Sequence, residues 1–354
     1  MKKIISLVMA FAMVLCLGSF AAAEEGQYEL ALITDVGNID DKSFNQGSWE
    51  GLVQYAEENS VTHKYYQPAE KSDDAYLDSI QLAVEAGAKL IVTPGFLFER
   101  PIYIAQEMYP DVYFVLIDGV PNDNGDFNTG DNTVGVLYAE EQSGFLAGYA
   151  AVLEGYTNLG FIGGMAVPAV IRFGYGFVQG VEYAVQELGL EEAAVNYHYA
   201  GVFWATPEVQ ALAASWYNDG MDVIFACGGG LGNSVMAAAE AAGDKWVVGV
   251  DIDQSAESEQ VITSSAKSLR ESVYKAIAAH YNGDSPGGET WVLGAESDGV
   301  NLPMETSRFS VFTQDDYDAI FAKLVAGEIE LLKDEDVASA ADIPLELTKV
   351  TIVN

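Results

Sequence analysis

The chain has 354 residues, 50% of them hydrophobic and 19% charged. That apolar content supports a large core and excludes global disorder, and the length predicts roughly two domains of about 150 residues. Lys and Arg number 16 against 53 Asp and Glu, a formal charge of −37 at pH 7. Nucleic acids and anionic membrane surfaces need clustered basic residues, so both are excluded as partners.

The chain opens on Lys2-Lys3, an apolar stretch over 4–20 and Ala21-Ala22-Ala23. This is the pattern of a signal peptide, residues 1–23, cleaved before Glu24. Without it 14 basic and 53 acidic residues remain, a formal charge of −39. An uncleaved anchor is the rival reading, and the small-residue site argues against it. No later run is long and apolar enough to span a bilayer. Cys16 lies in the signal and Cys227 stands alone afterwards, so the mature chain has no intramolecular disulfide. Leu15 before Cys16 does not suit a lipoprotein signal, which places a small residue there. A soluble exported chain is expected, in the periplasm or at the outer face of the cell membrane.

Beyond the signal, apolar strand-like runs at 29–34, 61–66, 89–93 and 112–117 alternate with helical patterns at 45–59, 73–86 and 102–108. The first helix carries Trp49, Leu52, Val53 and Ala56 at helical spacing. The strands are near-continuous apolar runs, as in a parallel sheet buried on both faces. After a changeover near 132–136 the pattern restarts. Strands are predicted at 159–162, 195–199, 223–226 and 246–250, and helices at 139–153, 170–188, 207–218 and 234–242. A strand at 261–264, a helix at 269–282, a strand at 289–293 and a closing helix at 315–326 follow. The fold class is α/β, with two doubly wound parallel-sheet lobes.

Ligands of such sheets bind beyond the carboxyl ends of the strands. Asp35, Pro94-Gly95-Phe96 and Asp118-Gly119 occupy those places in the first half. Gly163-Gly164, Gly201-Val202-Phe203-Trp204, Cys227-Gly228-Gly229-Gly230 and Asp251 do so in the second. Any one of them reads as turn chemistry. Their recurrence after nearly every strand points to a ligand, approached by glycine backbone and anchored by carboxylates and rings.

Catalytic signatures are absent: no GxSxG, HExxH, P-loop or paired CxxC occurs. His63, His198 and His280 are the only histidines, and none is placed to activate Cys227. The oxygen-rich run 122–132 lacks EF-hand spacing and reads as a solvated turn rather than a Ca²⁺ loop. No cofactor is called for.

Four segments carry a resemblance. Residues 33–49 read ITDVGNIDDKSFNQGSW, and 132–153 read NTVGVLYAEEQSGFLAGYAAVL. Residues 159–180 read LGFIGGMAVPAVIRFGYGFVQG, and 246–254 read WVVGVDIDQ. Together they resemble the basic membrane protein family of substrate-binding proteins, which includes the purine nucleoside receptor lipoproteins. The resemblance implies a type I periplasmic-binding-protein fold, two lobes joined by a three-segment hinge, and an ABC permease as partner for a monomeric receptor. Phe44 resembles the ring that stacks on the base, and Phe203 or Trp204 stands where the opposing ring comes. Asn45 and Asp118 resemble residues that bond the base edge. Asp251 resembles the ribose-binding carboxylate and Lys267 the lysine near the sugar, with Asp35 a further first-lobe candidate. The chemistry fits a purine: stacking contributes ~1–3 kcal/mol per base, and hydrogen bonds to charged groups ~1.5–3 kcal/mol.

The lobes are expected at 27–134 with 253–291, and at 135–252 with 292–354. The reading is a solute receptor for a nucleoside, a purine nucleoside in the first place, with a receptor for a sugar or other small polar ligand as the alternative. A secreted nucleoside hydrolase would need a metal-holding cluster in the cleft, where Asp35, Asp40 and Asp41 are the close group, and the resemblance places them in a binding motif. A repressor of the same fold is disfavoured by the signal, the charge and the lack of an N-terminal helix-turn-helix.

Overall fold

The computed structural model describes residues 27–354; the segment expected to be a signal peptide, with Cys16, lies outside them. The first sheet is built from β1 (Leu30–Ile33), β2 (His63–Tyr66), β3 (Leu90–Pro94), β4 (Tyr113–Ile117), β7 (Thr133–Tyr138) and β13 (Thr290–Leu293). All its strands are parallel, in the order β13-β7-β4-β3-β1-β2. Side chains along β1 alternate between two cores. Leu30 and Leu32 pack with α1 (Phe44–Asn59) and α8 (Leu269–Asn282), while Ala31 and Ile33 pack with α2 (Asp73–Glu85) and α3 (Glu99–Met108). Burial on both faces explains why these strands read as unbroken apolar runs.

The second sheet repeats the plan. It uses β8 (Asn158–Gly163), β9 (Ala193–Tyr199), β10 (Val223–Cys227), β11 (Trp246–Asp251), β12 (Val261–Lys267), β14 (Val300–Asn301) and β15 (Thr348–Ile352). Its order is β14-β12-β11-β10-β8-β9-β15, with only β14 antiparallel to its neighbour. Phe161 and Phe225 face α4 (Glu140–Leu153), α5 (Pro168–Leu188) and α9 (Gln314–Val325); Ile162 and Ile224 face α6 (Pro207–Asn218) and α7 (Gly232–Ala242). Matching the two orders makes β4 the counterpart of β11 and β3 the counterpart of β10.

Two expectations about the lobes change. The changeover near 132–136 is the strand β7, paired with β4 and β13 in the first sheet. Gly135 inside it lies so close to Gly119 that a Cβ would come within 3.0 Å of that carbonyl oxygen. The glycine interrupts the apolar run from Val134 to Tyr138 and hid the strand in the sequence. Likewise β12 belongs to the second sheet, paired with β11, and only the helix after it returns to the first. The boundaries expected at 134/135, 252/253 and 291/292 therefore give way to crossings after Tyr138, Lys267 and Leu293. The chain still crosses three times. At the crossings Ala139 N–H donates to the Leu293 carbonyl at 3.0 Å and Ser268 N–H to the Gly299 carbonyl at 2.9 Å.

The run 122–132 begins with a two-stranded hairpin, β5 (Asn122–Asp123) and β6 (Asp126–Phe127). Asn124 and Gly125 between them have φ of 53° and 92°, the left-handed pair that an Asn-Gly hairpin turn needs. Asp123 accepts from Arg100 at 2.9 Å and Asp126 from Tyr103 at 2.8 Å, so both carboxylates serve the hairpin.

Candidate functional site

The carboxyl ends of the two sheets line a cleft whose non-atom space, open solvent at the mouth included, is about 670 Å³. The first lobe contributes Asp35, Asp41, Phe44, Asn45, Gly95, Phe96 and Asp118; the second contributes Val170, Phe173, Phe203, Cys227, Gly228 and Asp251, with Lys267 at the hinge. The predicted Asp35, Phe44, Asn45, Asp118, Phe203, Asp251 and Lys267 therefore come together.

Trp204 does not join them. It is 51% exposed and outside the lining, whereas Phe203 is part of it. The reason is a glycine floor. A Cβ on Gly164 would come within 2.3 Å of the Phe203 ring, and one on Gly228 within 3.5 Å. The ring of Phe203 fills the space these two glycines leave, and its successor in the loop is turned to solvent.

The segment after β1 folds around its own carboxylates. Asp41 accepts the backbone N–H groups of Ser43, Asn45 and Gln46 at 2.9, 3.0 and 3.1 Å, capping the start of α1. Both amide protons of Asn45 are used within this lobe, on Asp35 and Asp41 at 3.0 Å each. Its carbonyl oxygen takes the Asp35 N–H at 3.4 Å and keeps a second lone pair as an acceptor. The Ser43 hydroxyl reaches across the cleft and donates to Asp251 at 2.6 Å. Gln254 returns the contact, donating to the Lys42 carbonyl at 2.8 Å. The lobes thus meet directly beside the cleft.

The counterpart strands β4 and β11 end alike. Asp118 and Asp251 follow or close them with φ of 58° and 69°, a left-handed geometry that Asp tolerates better than most residues. Both carboxylates converge on the Lys267 ammonium, Asp118 in direct hydrogen bond and Asp251 at 3.7 Å. Glu140 joins them at 3.3 Å. Burial by itself would lower the pKa of this ammonium; Asp118, Glu140 and Asp251 outweigh it and raise the pKa above the ordinary value. Rings of Phe44, Tyr138 and Phe173 surround the Nζ at 4.9 to 5.2 Å, close enough for cation–π attraction. Burial pushes Asp35 and Asp251 up to about 6, against hydrogen bonds from Gly37 and Asn45 in one case and the pull of Lys267 and Ser43 in the other. Among the described residues the second oxygen of Asp118, which is buried, has no hydrogen-bond partner. A polar ligand with donor groups would satisfy it.

Sequence reasoning missed Phe173 and Glu140, and it noted Phe96 and Asp41 without putting them in the binding set. Phe96 follows a strand end that was singled out, and Phe173 lies in the first turns of a helix that opens at the cleft. Glu140 carried no such signal, because its partner Lys267 lies 127 positions later.

Comparisons with known proteins agree with this architecture. The family model described as "ABC transporter substrate-binding protein PnrA-like" matches residues 28–335. The chain is 30% identical over 299 residues to the "ABC transporter nucleoside-binding protein BmpA" of Lactococcus lactis, covering 78% of this chain and 82% of that protein. It is also 30% identical over 326 residues to the "CD4+ T-cell-stimulating antigen" of Listeria monocytogenes, covering 86% and 88%. A solute-binding protein of an ABC transporter system from Aeropyrum pernix superposes with a TM-score of 0.76 at 23% identity, covering 89% of this chain and 96% of that one. The fold is that of the type I periplasmic binding proteins, and the chain belongs to the Bmp family of ABC transporter substrate-binding proteins.

Proposed function

We propose that this chain is the extracytoplasmic receptor of an ABC importer, binding a purine nucleoside in the interlobe cleft and delivering it, as a monomer, to a permease. The observation that carries the reading is a pair of rings from opposite lobes, Phe44 and Phe203, on one cleft with Asp251 and Lys267. A purine has two π faces and takes one ring on each, a sandwich complete only when the lobes are shut. Asp251 has acceptor capacity for a vicinal diol beyond its bond to Ser43. Asp118, with its unpartnered oxygen, and Asp35 accept from donors on the base, and the Asn45 carbonyl adds an acceptor. Lys267 holds the carboxylates together and offsets their charge. The family and the Lactococcus relative named as nucleoside-binding support the same reading.

Thermal-shift screening against nucleosides, free bases and pentoses tests it. A ligand confined to the folded state adds ~2.7 kcal/mol of stability at one hundred times its dissociation constant. A purine nucleoside should give the largest shift and be recovered chemically unchanged after incubation. Recovery of free base and ribose would instead mean a hydrolase, and a shift with pentoses alone would mean a sugar receptor.

A further inference from the structure

Glu140 is the first residue of α4, two positions after the first hinge crossing, and its side chain is 1% exposed. Asp118 and Asp251 meet the Lys267 ammonium from the cleft they line; Glu140 is outside that lining, in an adjoining cavity with Arg172, and lies 3.3 Å from the ammonium. Arg172 of α5 stands on the far side of Glu140, its guanidinium 3.8 Å from Oε2, and is itself held by Asp334 at 2.6 Å. Lys267 has three N–H groups and three carboxylates around it. The weakest of the three contacts is to Asp251, at 3.7 Å, beyond hydrogen-bond length. That leaves an Asp251 oxygen open, while its other oxygen takes the Ser43 hydroxyl.

We propose that Glu140, backed by Arg172, is a positioning residue for the binding site: it holds the Lys267 ammonium away from Asp251, so that Asp251 keeps an acceptor oxygen for ligand hydroxyls. This rests on the nucleoside reading above. Without the Glu140 charge, the ammonium is drawn more strongly to its two remaining partners, Asp118 and Asp251. The ammonium then competes with the ribose for the same oxygen. The base, gripped by rings, does not feel the exchange.

The role has a pH signature. The groups facing Glu140 are Lys267 and Asp118, Arg172 with its partner Asp334, and the neighbouring Glu141 with its partner Lys333. Burial raises the pKa of Glu140, against the attraction of Lys267. Protonating Glu140 releases the ammonium, so nucleoside affinity falls as the pH drops through that raised value. Asp251 adds a separate loss near pH 6.

The experiment is calorimetric titration of the wild type, Glu140→Gln and Glu140→Leu with a purine nucleoside and its free base across pH 5 to 9, with melting temperatures as the check on folding. At pH 9, where Glu140 is ionised, both variants should bind the nucleoside about ten-fold more weakly than wild type, the gap closing towards pH 7, and the base within about two-fold of wild type throughout. Glu140→Gln should lack the upper limb of the pH profile and keep the limb near 6. Equal weakening of base and nucleoside, nucleoside affinity unchanged in Glu140→Leu, or an unaltered pH profile in Glu140→Gln would each overturn the proposal. If the wild type binds a pentose and no nucleoside, the functional reading fails, and the same comparison on the pentose decides the role of Glu140.

Discussion

Asp251 closes its strand in left-handed backbone, shares an ammonium with two other carboxylates and accepts a hydroxyl from the opposite lobe. Burial holds it and Asp35 at about 6. A folded-state value above the ordinary 3.8 means the folded protein binds more protons than the unfolded chain between about pH 4 and 6. These two groups therefore favour the folded state at low pH, and their contribution declines as the pH rises through 6. Ligand hydroxyls need the ionised form, so the sign for binding is the reverse: affinity for a nucleoside should rise from pH 5 to 7, and Asp251→Asn should flatten much of that rise in titrations at several pH values. The two neighbouring rings give a second residue-scale expectation. Phe203→Ala should weaken nucleoside and free base alike by ~1–3 kcal/mol, while Trp204→Ala should leave both within about two-fold in calorimetry. Most lining residues were legible because strand ends announce themselves by glycines, carboxylates and rings. The choice between Phe203 and Trp204 was not, since it depends on space left by Gly164 and Gly228, which are far away in the sequence.

The helices α4 and α5 lie against each other along a seam of glycines. A Cβ on Gly144 or Gly148 would stand 2.1 Å from the carbonyl oxygens of Phe173 and Phe177. One on Gly176 or Gly180 would stand 2.0 Å from those of Glu141 and Phe145. The contact is reciprocal, glycine of each helix against backbone of the other. It brings Arg172, near the start of α5, to 3.8 Å from the Glu140 carboxylate at the start of α4, and it sets Phe173 beside the cleft. Overpacking of this kind costs ~1–3 kcal/mol, so Gly148→Ala and Gly176→Ala should each lower the denaturant midpoint accordingly. Gly232→Ala is the contrast: a Cβ there meets nothing nearer than 3.7 Å. That variant should be neutral or gain up to about 1 kcal/mol from helix propensity. A stable Gly148→Ala protein would mean that the seam is looser than these distances state. The helices themselves were legible from their periodicity, but their seam was not, because the same glycines in an apolar helix carry no sign of what they face. The strand β7 was lost for a related reason, its pairing with β4 and β13 being stated only in the sheet.

At the scale of the whole molecule, three adjacent crossings after Tyr138, Lys267 and Leu293 form the hinge, and Ser43, Lys42, Asp251 and Gln254 form the contact that shuts the lobes. The two-lobed plan was legible from the repeating pattern, whereas the crossings moved because sheet membership is a long-range property. Small-angle scattering should show compaction when nucleoside is added; identical curves at saturation would argue against a closing receptor. Charge sets the ligand class. The chain carries −37, and the cleft holds Asp35, Asp41, Asp118 and Asp251 against one ammonium. A nucleoside 5′-phosphate would bring further negative charge into that field and should bind at least about a hundred-fold more weakly than the nucleoside. The central claim, a nucleoside held by ring and carboxylate from both lobes, is tested most directly by one titration series. Wild type, Phe44→Ala and Asp251→Ala are each titrated calorimetrically with a purine nucleoside and its free base. Phe44→Ala should weaken both ligands, and Asp251→Ala the nucleoside alone, each by roughly five- to hundred-fold. Nucleoside affinity within about two-fold of wild type in Asp251→Ala, or a wild type that ignores every nucleoside, would contradict it.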